Sequence, residues 1–376
     1  MKKIQMVDLL SQFRKIEPEI MQAIKEVIEN TNFIKGSEVN EFAGKLEKYL
    51  EVRHVIPCGN GTDALQVALM ALNLNPGDEV VTTPFTFIST IEVIKLLGLK
   101  PVLIDIEEDS FILDAQKILP AITEKTKLIL PVHLFGQCAN MSVITEIARE
   151  KDLFVVEDTA QALGAHYYFE NKSPQKAGTL GDIGCTSFFP SKNLGAFGDG
   201  GAVFTNNEKL AEKISAMVNH GMRKKYHYDY VGINSRLDTL QAAILNIKIK
   251  YLDDYHLARR KAAEYYDSLL RDLEGIVIPP RLNYSNHIFH QYTLRVKNHK
   301  RDDLMRYLHD RDIPAMIYYP LGLHLQNAYR DLGYKKGDFP ITEKACEEVL
   351  SLPMHTELTK DQLDYICGSI KDFFKK

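Results

Sequence analysis

Neither sign of charge dominates this sequence: 46 lysines and arginines face 50 aspartates and glutamates, a net charge of −4 over 376 residues. Such a balance offers no overall field to hold nucleic acid or an anionic membrane, so neither is an expected partner. Cysteine is scarce, with five residues at 58, 138, 185, 346 and 367 and no two at C-x-x-C spacing. An odd, scattered set argues against a disulfide framework and reads as the reduced thiols of a cytoplasmic protein. Long apolar runs are missing too. The longest uncharged stretch lies within LILPVHLFGQCANMSVIT and contains Pro131, Gly136, Gln137 and Asn140, a combination that a membrane helix rarely bears. Asp8 interrupts MKKIQMVDLLSQF before it can supply the apolar core of a signal peptide. The histidines form no H-E-x-x-H, and HIFH at 287–290 reads as alternation in a strand, so no metal is expected.

What is present is a regular alternation. The length exceeds what one compact core fills and predicts two domains, residues 1–250 (with the N-terminal segment) and 251–376. SEVNEFAGKLEKYL has helical spacing; HVIPC is a short apolar strand, followed by the helix TDALQVALMALN. EVVTT, PVLIDI, KLILPVHL and LFVVED read as further strands separated by helical segments, then GDIGCTSFF and GGAVFT as two more. Near-continuous apolar strands alternating with helices imply an α/β fold with a largely parallel sheet covered on both faces. SRLDTLQAAILNIKIKYLDDY predicts one long helix crossing between domains. The strands QYTLRVKN and PAMIYY, with the helices RDDLMRYLHDRD, TEKACEEVLS and KDQLDYICGSIKDFF, predict a smaller α+β lobe.

Four stretches carry candidate chemistry. In SFFPSKNLGAFGDGGAVFT, Lys192 stands among apolar residues and the glycines 195, 198, 200 and 201, with Asp199 the only other charge. Glycine-dense loops are costly to order and usually bring backbone close to a ligand, though a surface turn with an ordinary lysine is the plain alternative. GNGTDA at 59–64 links a strand to a helix, where amides and the helix dipole suit a phosphate. It also matches a dinucleotide fingerprint, but Asp78 and Glu79 precede the second strand, the wrong side for a ribose contact. Asp158 ends FVVED at the strand edge where ligands of open α/β sheets bind; it could hold a ring nitrogen protonated or cap a helix in TAQALGA. Gln161 is then half of a capping box or a second polar contact. RKKYHYDY at 223–230 reads as a solvated loop or a local site for a diphosphate or carboxylate. A phosphate nest, a strand-end aspartate and a sheltered lysine together match the needs of pyridoxal 5'-phosphate: an amine for its aldehyde, an acid for its ring nitrogen, and donors for its phosphate.

NGTDALQVAL, PGDEVV, TFIST, VHLFGQCANM, VVEDTAQALGA, SFFPSKNLGAFGDGGAVFTN, GINSRLDTLQAAIL and LSLPMHTEL, in that order, resemble the DegT/DnrJ/StrS family of nucleotide-sugar aminotransferases. The resemblance implies an aspartate-aminotransferase fold, with a seven-stranded mostly parallel sheet, a small C-terminal domain, and a homodimer with shared active sites. By the same resemblance Lys192 bonds to the cofactor aldehyde and shuttles a proton, while Asp158 faces the pyridine nitrogen. Phe87 stacks on the ring and Gln161 lies near its phenolic oxygen. Gly61, Thr62 and Ser187 bind phosphate, joined by Asn234 of the neighbouring subunit. Ser191 and Arg236 are implied substrate contacts. So are Tyr318 and Tyr319, which with Pro320 stand where relatives have His-Tyr-Pro. Dehydratases among the relatives replace the lysine by histidine, so Lys192 favours an aminotransferase. The implied reaction moves an amine from L-glutamate to carbon 3 of a UDP-2-acetamido-3-keto-hexuronic acid or a dTDP-3-keto-6-deoxyhexose, with carbon 4 the alternative. A nicotinamide oxidoreductase and a non-catalytic regulator are the remoter readings.

Overall fold

The computed structural model describes residues 3–375. At its centre lie seven strands: β1 (His54–Cys58), β2 (Glu79–Thr82), β3 (Lys100–Leu103), β4 (Thr126–Ile129), β5 (Phe154–Asp158), β6 (Ile183–Ser187) and β7 (Gly201–Thr205). Their order across the sheet is β1-β7-β6-β5-β4-β2-β3. All pairs are parallel except those of β7, which runs antiparallel to both β1 and β6. The expected seven-stranded, mostly parallel sheet is therefore the observed one. Residues of β2 and β7 are buried on both faces, which is why these strands read as continuous apolar runs rather than as alternation.

Helices cover both faces. Helix α1 (Leu9–Asn30) lays Ile16 and Ile20 against Ile244 and Ile247 of a later helix. Helix α2 (Ser37–Leu50) buries Phe42, Leu46 and Leu50, an i, i+4, i+8 stripe, and follows its predicted limits. Helix α3 (Gly61–Ala71) buries most of its length beneath β6 and β7 and is capped by Asn60, whose side-chain oxygen accepts the Asp63 amide at 2.8 Å. No helix among the described residues is long and apolar enough to cross a membrane.

The C-terminal residues build a three-stranded antiparallel sheet from Ile276–Val277, Tyr292–Val296 and Val349–Leu352, with its own core that includes Tyr266, Leu294, Leu350 and Ile366. Ile4 of the N-terminal segment belongs to that core, and the Met354 amide donates to the Met6 carbonyl.

Four local expectations are corrected. The long helix predicted over 235–255 starts at Thr239, and residues 249–251 tighten to a 3₁₀ turn before the chain continues as Leu252–Leu270. HIFH is not a strand: Phe289 takes a left-handed φ of 49°, and the carbonyls of Phe289 and His290 are gathered by the buried Arg259 instead of a ladder. PAMIYY contributes only a single bridge, Met316 to Ser351, on the edge of Val349–Leu352 that Tyr292–Val296 leaves free. The TEKACEEVLS helix stops at Glu348, and its last residues turn into the strand Val349–Leu352.

Candidate active site

A cavity of about 620 Å³ opens at the carboxyl edge of β4, β5 and β6. Topology gathers its residues there. β5 delivers Asp158 at its end, β6 delivers Ser187, and the antiparallel pairing sets Ser187 opposite Gly201 and Gly201 opposite Cys58. The turn before α3 thus meets the loop bearing Lys192. A Cβ on Gly201 would lie 2.4 Å from the Asn60 carbonyl oxygen, and one on Gly61 would lie 2.6 Å from the Ser187 Cβ. Only glycine allows this approach.

Gly61, Thr62, Phe87, Asp158, Gln161, Ser187, Ser191, Lys192, Tyr318 and Tyr319 all line this cavity, as do Ser89, Phe189, Asp199 and His290. Asn234 and Arg236 do not. Asn234 is exposed and bridges Asn219, while Arg236 is half-buried beside Ser235, whose hydroxyl accepts the Gly59 amide at 2.9 Å. None of the RKKYHYDY residues lines the cavity; the segment forms a small exposed hairpin, Met222–Lys224 with His227–Tyr228.

Asp158 is 7% exposed. One of its oxygens accepts the Ala160 amide at 3.1 Å and the other accepts from the Thr90 hydroxyl at 3.2 Å. Burial pushes its carboxyl pKa up, opposed by the Ala160 amide and then by the Lys192 charge. The helix-cap alternative fails, since residues 160–164 form turns and no helix follows directly. Gln161 is no capping-box partner: its oxygen accepts the Phe135 amide at 2.7 Å and its nitrogen donates to the Tyr319 hydroxyl at 3.2 Å. Behind Asp158, fully buried His133 meets Glu157 at 2.8 Å, and Glu157 also accepts the amides of Gly178, Leu180 and Gly181. This buried network fixes the end of β5.

Lys192 lies in a loop closed on itself by the bond from its own amide to the Phe189 carbonyl, 2.8 Å. Burial lowers its ammonium to about 8, with Asp158 opposing the shift. That value makes an amine available near neutral pH. His290 is buried and is held neutral by that burial and by the nearby Lys192 and Arg259 charges.

These residues fit pyridoxal phosphate. An amine and a carboxylate share one cavity, Phe87 offers an open ring face at 56% exposure, and Gly61, Thr62 and Ser187 cluster at the N-terminus of α3. Thr62 and Ser89 hydroxyls lie 2.8 Å apart at that end. The dinucleotide alternative does not fit. Glu79 sits at the amino end of β2, buried and bonded to Thr123, Thr126 and Lys100, far from the edge that bears the cavity. Ser89, Thr90, Phe189 and His290 were missed in the sequence. Ser89 and Thr90 stand inside the quoted TFIST, where a hydroxyl pair opening a helix was the available signal.

Fold and cavity together define the class, a pyridoxal-phosphate-dependent aminotransferase of the α/β type. The chain belongs to the DegT/DnrJ/EryC1/StrS aminotransferase family, whose model matches residues 14–371. It is 45% identical to a protein of Geobacillus stearothermophilus named pleiotropic regulatory protein, over 99% of each chain. It is 40% identical to the UDP-2-acetamido-2-deoxy-3-oxo-D-glucuronate aminotransferase of Pseudomonas aeruginosa, over 98% of this chain and 99% of that one. Among solved structures, S. venezuelae DesV in complex with a ketimine intermediate superposes with a TM-score of 0.96 at 34% identity, covering 100% of both chains.

Proposed function

We propose that this protein transfers the amino group of L-glutamate to carbon 3 of a nucleotide-linked keto-sugar, either a UDP-2-acetamido-3-keto-hexuronic acid or a dTDP-3-keto-6-deoxyhexose. The observation that carries the reading is the pair Lys192 and Asp158 on one cavity, with the α3 N-terminus at its end. The 3-oxo sugar in the name of the Pseudomonas relative supports carbon 3 over carbon 4.

Bound here, pyridoxal phosphate supplies an electron sink for the carbon that gains or loses the amine. Lys192 holds the cofactor through its Nζ and then accepts and returns a proton at that nitrogen, a task suited to a lysine lowered to about 8. Asp158, ionised by a cationic ring nitrogen, keeps that nitrogen protonated. Phe87 covers one ring face, and Gln161 meets the phenolic oxygen. Gly61, Thr62 and Ser187 take the phosphate, with Asn234 supplied by a second copy of the chain. Ser191, Tyr318, Tyr319 and Arg236 contact substrate. We infer a homodimer acting in the cytoplasm to supply amino sugars for a surface polysaccharide or glycoconjugate, with residues 1–250 as the large domain and 251–376 as the small one. The regulatory name of one relative is not carried over, because Lys192, Asp158, Gly61, Thr62 and Ser187 stand together on one cavity here.

The test incubates the loaded protein with glutamate and then with each keto-sugar. Release of 2-oxoglutarate followed by a mass gain on a 3-keto-sugar, with the nitrogen placed by NMR, is the expected result. Glutamate that releases no 2-oxoglutarate overturns the reading, and amination at carbon 4 overturns the substrate.

A further inference from the structure

His290 lines the cavity at 5% exposure, and none of the roles assigned above uses it. Its imidazole forms no hydrogen bond with any described residue: Nδ1 is enclosed without a partner, and Nε2 is the nitrogen left open to the cavity. Orphaned buried N–H groups are rarer than under-used acceptors, which assigns the proton to Nε2 and leaves the bare lone pair on Nδ1. The ring thus presents an unused N–H donor to whatever fills the cavity.

The backbone carrying this ring is fixed from several directions. The Ile288 amide donates to the Gly136 carbonyl at 2.9 Å, and the Gln291 amide to the Phe135 carbonyl at 3.3 Å. Asn193, the neighbour of Lys192, donates from its side chain to the Ile288 carbonyl at 3.2 Å. Buried Arg259 donates to the Phe289 and His290 carbonyls at 3.0 and 3.3 Å. A Cβ on Gly136, at φ 110°, would lie 2.9 Å from the nitrogens of both Phe289 and His290. His290 is thereby tied to the turn after β4 on one side and to the lysine loop on the other. A side chain held this firmly with its donor unspent is preorganised for a ligand. The cavity residues beyond position 251 are His290, Gln291, Tyr318 and Tyr319, all polar and uncharged, since burial keeps the imidazole neutral. A carboxylate calls for a cation, whereas a sugar hydroxyl matches neutral donors and acceptors.

We propose that His290 is a further substrate contact, whose Nε2–H donates to a ring hydroxyl of the keto-sugar and takes no part in binding glutamate. The proposal rests on the aminotransferase reading and gives its second half-reaction a specificity residue. Lys192 serves both substrates that share the cavity; His290 serves the sugar alone, because glutamate carries no hydroxyl.

The two half-reactions are measured separately on the loaded protein, as 2-oxoglutarate release from glutamate and as mass gain on the 3-keto-sugar. In His290→Gln the side-chain amide reaches the place of Nε2 and donates there; in His290→Asn it stops at the place of Nδ1. His290→Asn is expected to lose about tenfold in kcat/KM for sugar amination relative to 2-oxoglutarate release, the worth of one hydrogen bond, and His290→Gln recovers most of it. A role confined to packing lowers both half-reactions alike, and that result overturns the proposal, as do full sugar amination by His290→Asn and equal loss of it in the two variants. Binding is read apart from turnover. Protein loaded with pyridoxal phosphate holds no amine to give, so calorimetric titration with the same keto-sugar should show His290→Asn about tenfold weaker than wild type and His290→Gln. Equal affinity across the three chains overturns the proposal. A wild type that releases no 2-oxoglutarate defeats the aminotransferase reading itself, so the two failures are distinguishable.

Discussion

The Gln161 amide donates to the Tyr319 hydroxyl at 3.2 Å, joining a turn after the central strand β5 to the aromatic wall that closes the cavity from the C-terminal side. The same glutamine accepts the Phe135 amide at 2.7 Å, so one side chain holds three segments of the cavity wall in register. Removing the hydroxyl leaves the ring in place and strands one donor of the glutamine. Tyr319→Phe is therefore expected to cost about 1 kcal/mol of stability, read as a lower urea midpoint at unchanged slope. A change in slope, or no change at all, contradicts this account of the contact.

Asp158 ties stability to pH in the cofactor-free protein. Its pKa is raised by burial, so the fold favours the protonated acid. The associated stability is present below the ordinary aspartate pKa and is lost as pH rises through the higher folded value. Asp158→Asn should thus make the cofactor-free protein more stable than wild type at neutral pH, and the advantage should vanish in acid. The same variant should lose transamination, the usual exchange of stability for function at an active site. Thermal melts across pH, run alongside 2-oxoglutarate release, check both halves.

Gly201 is where the turn before α3 and the lysine loop meet. A methyl group there would lie 2.4 Å from the Asn60 carbonyl oxygen and 2.9 Å from the Gly61 nitrogen. Gly201→Ala is expected to destabilise by about 1–3 kcal/mol through overpacking and to weaken cofactor retention on dialysis. A variant that keeps wild-type stability and cofactor would show that the turn has slack.

Much of this architecture was legible beforehand, for identifiable reasons. Strands such as β2 and β7 are buried on both faces, so their apolar runs survive as unbroken words in the sequence. Lys192 and Asp158 were legible because a lone charge among glycines and an acid closing an apolar strand are both locally unusual. The misreadings share another origin. HIFH has the alternation of a strand, yet the carbonyls of Phe289 and His290 are claimed by Arg259, 30 and 31 positions earlier in the chain and beyond the reach of any local pattern. IKY at 249–251 keeps helical apolar spacing, so its tightening to a 3₁₀ turn leaves no compositional trace. Gln161 could be read as a cap only because its true partners, Phe135 and Tyr319, come from other segments.

The central claim is that Lys192 bonds covalently to pyridoxal phosphate within this cavity. The most direct measurement is to load the protein with the cofactor, reduce it with borohydride, digest it and locate the added mass by peptide sequencing in a mass spectrometer. One cofactor equivalent on the peptide containing Lys192, absent in Lys192→Ala, is the predicted result. Label on other lysines with residue 192 unmodified, or no stable label at all, would contradict it.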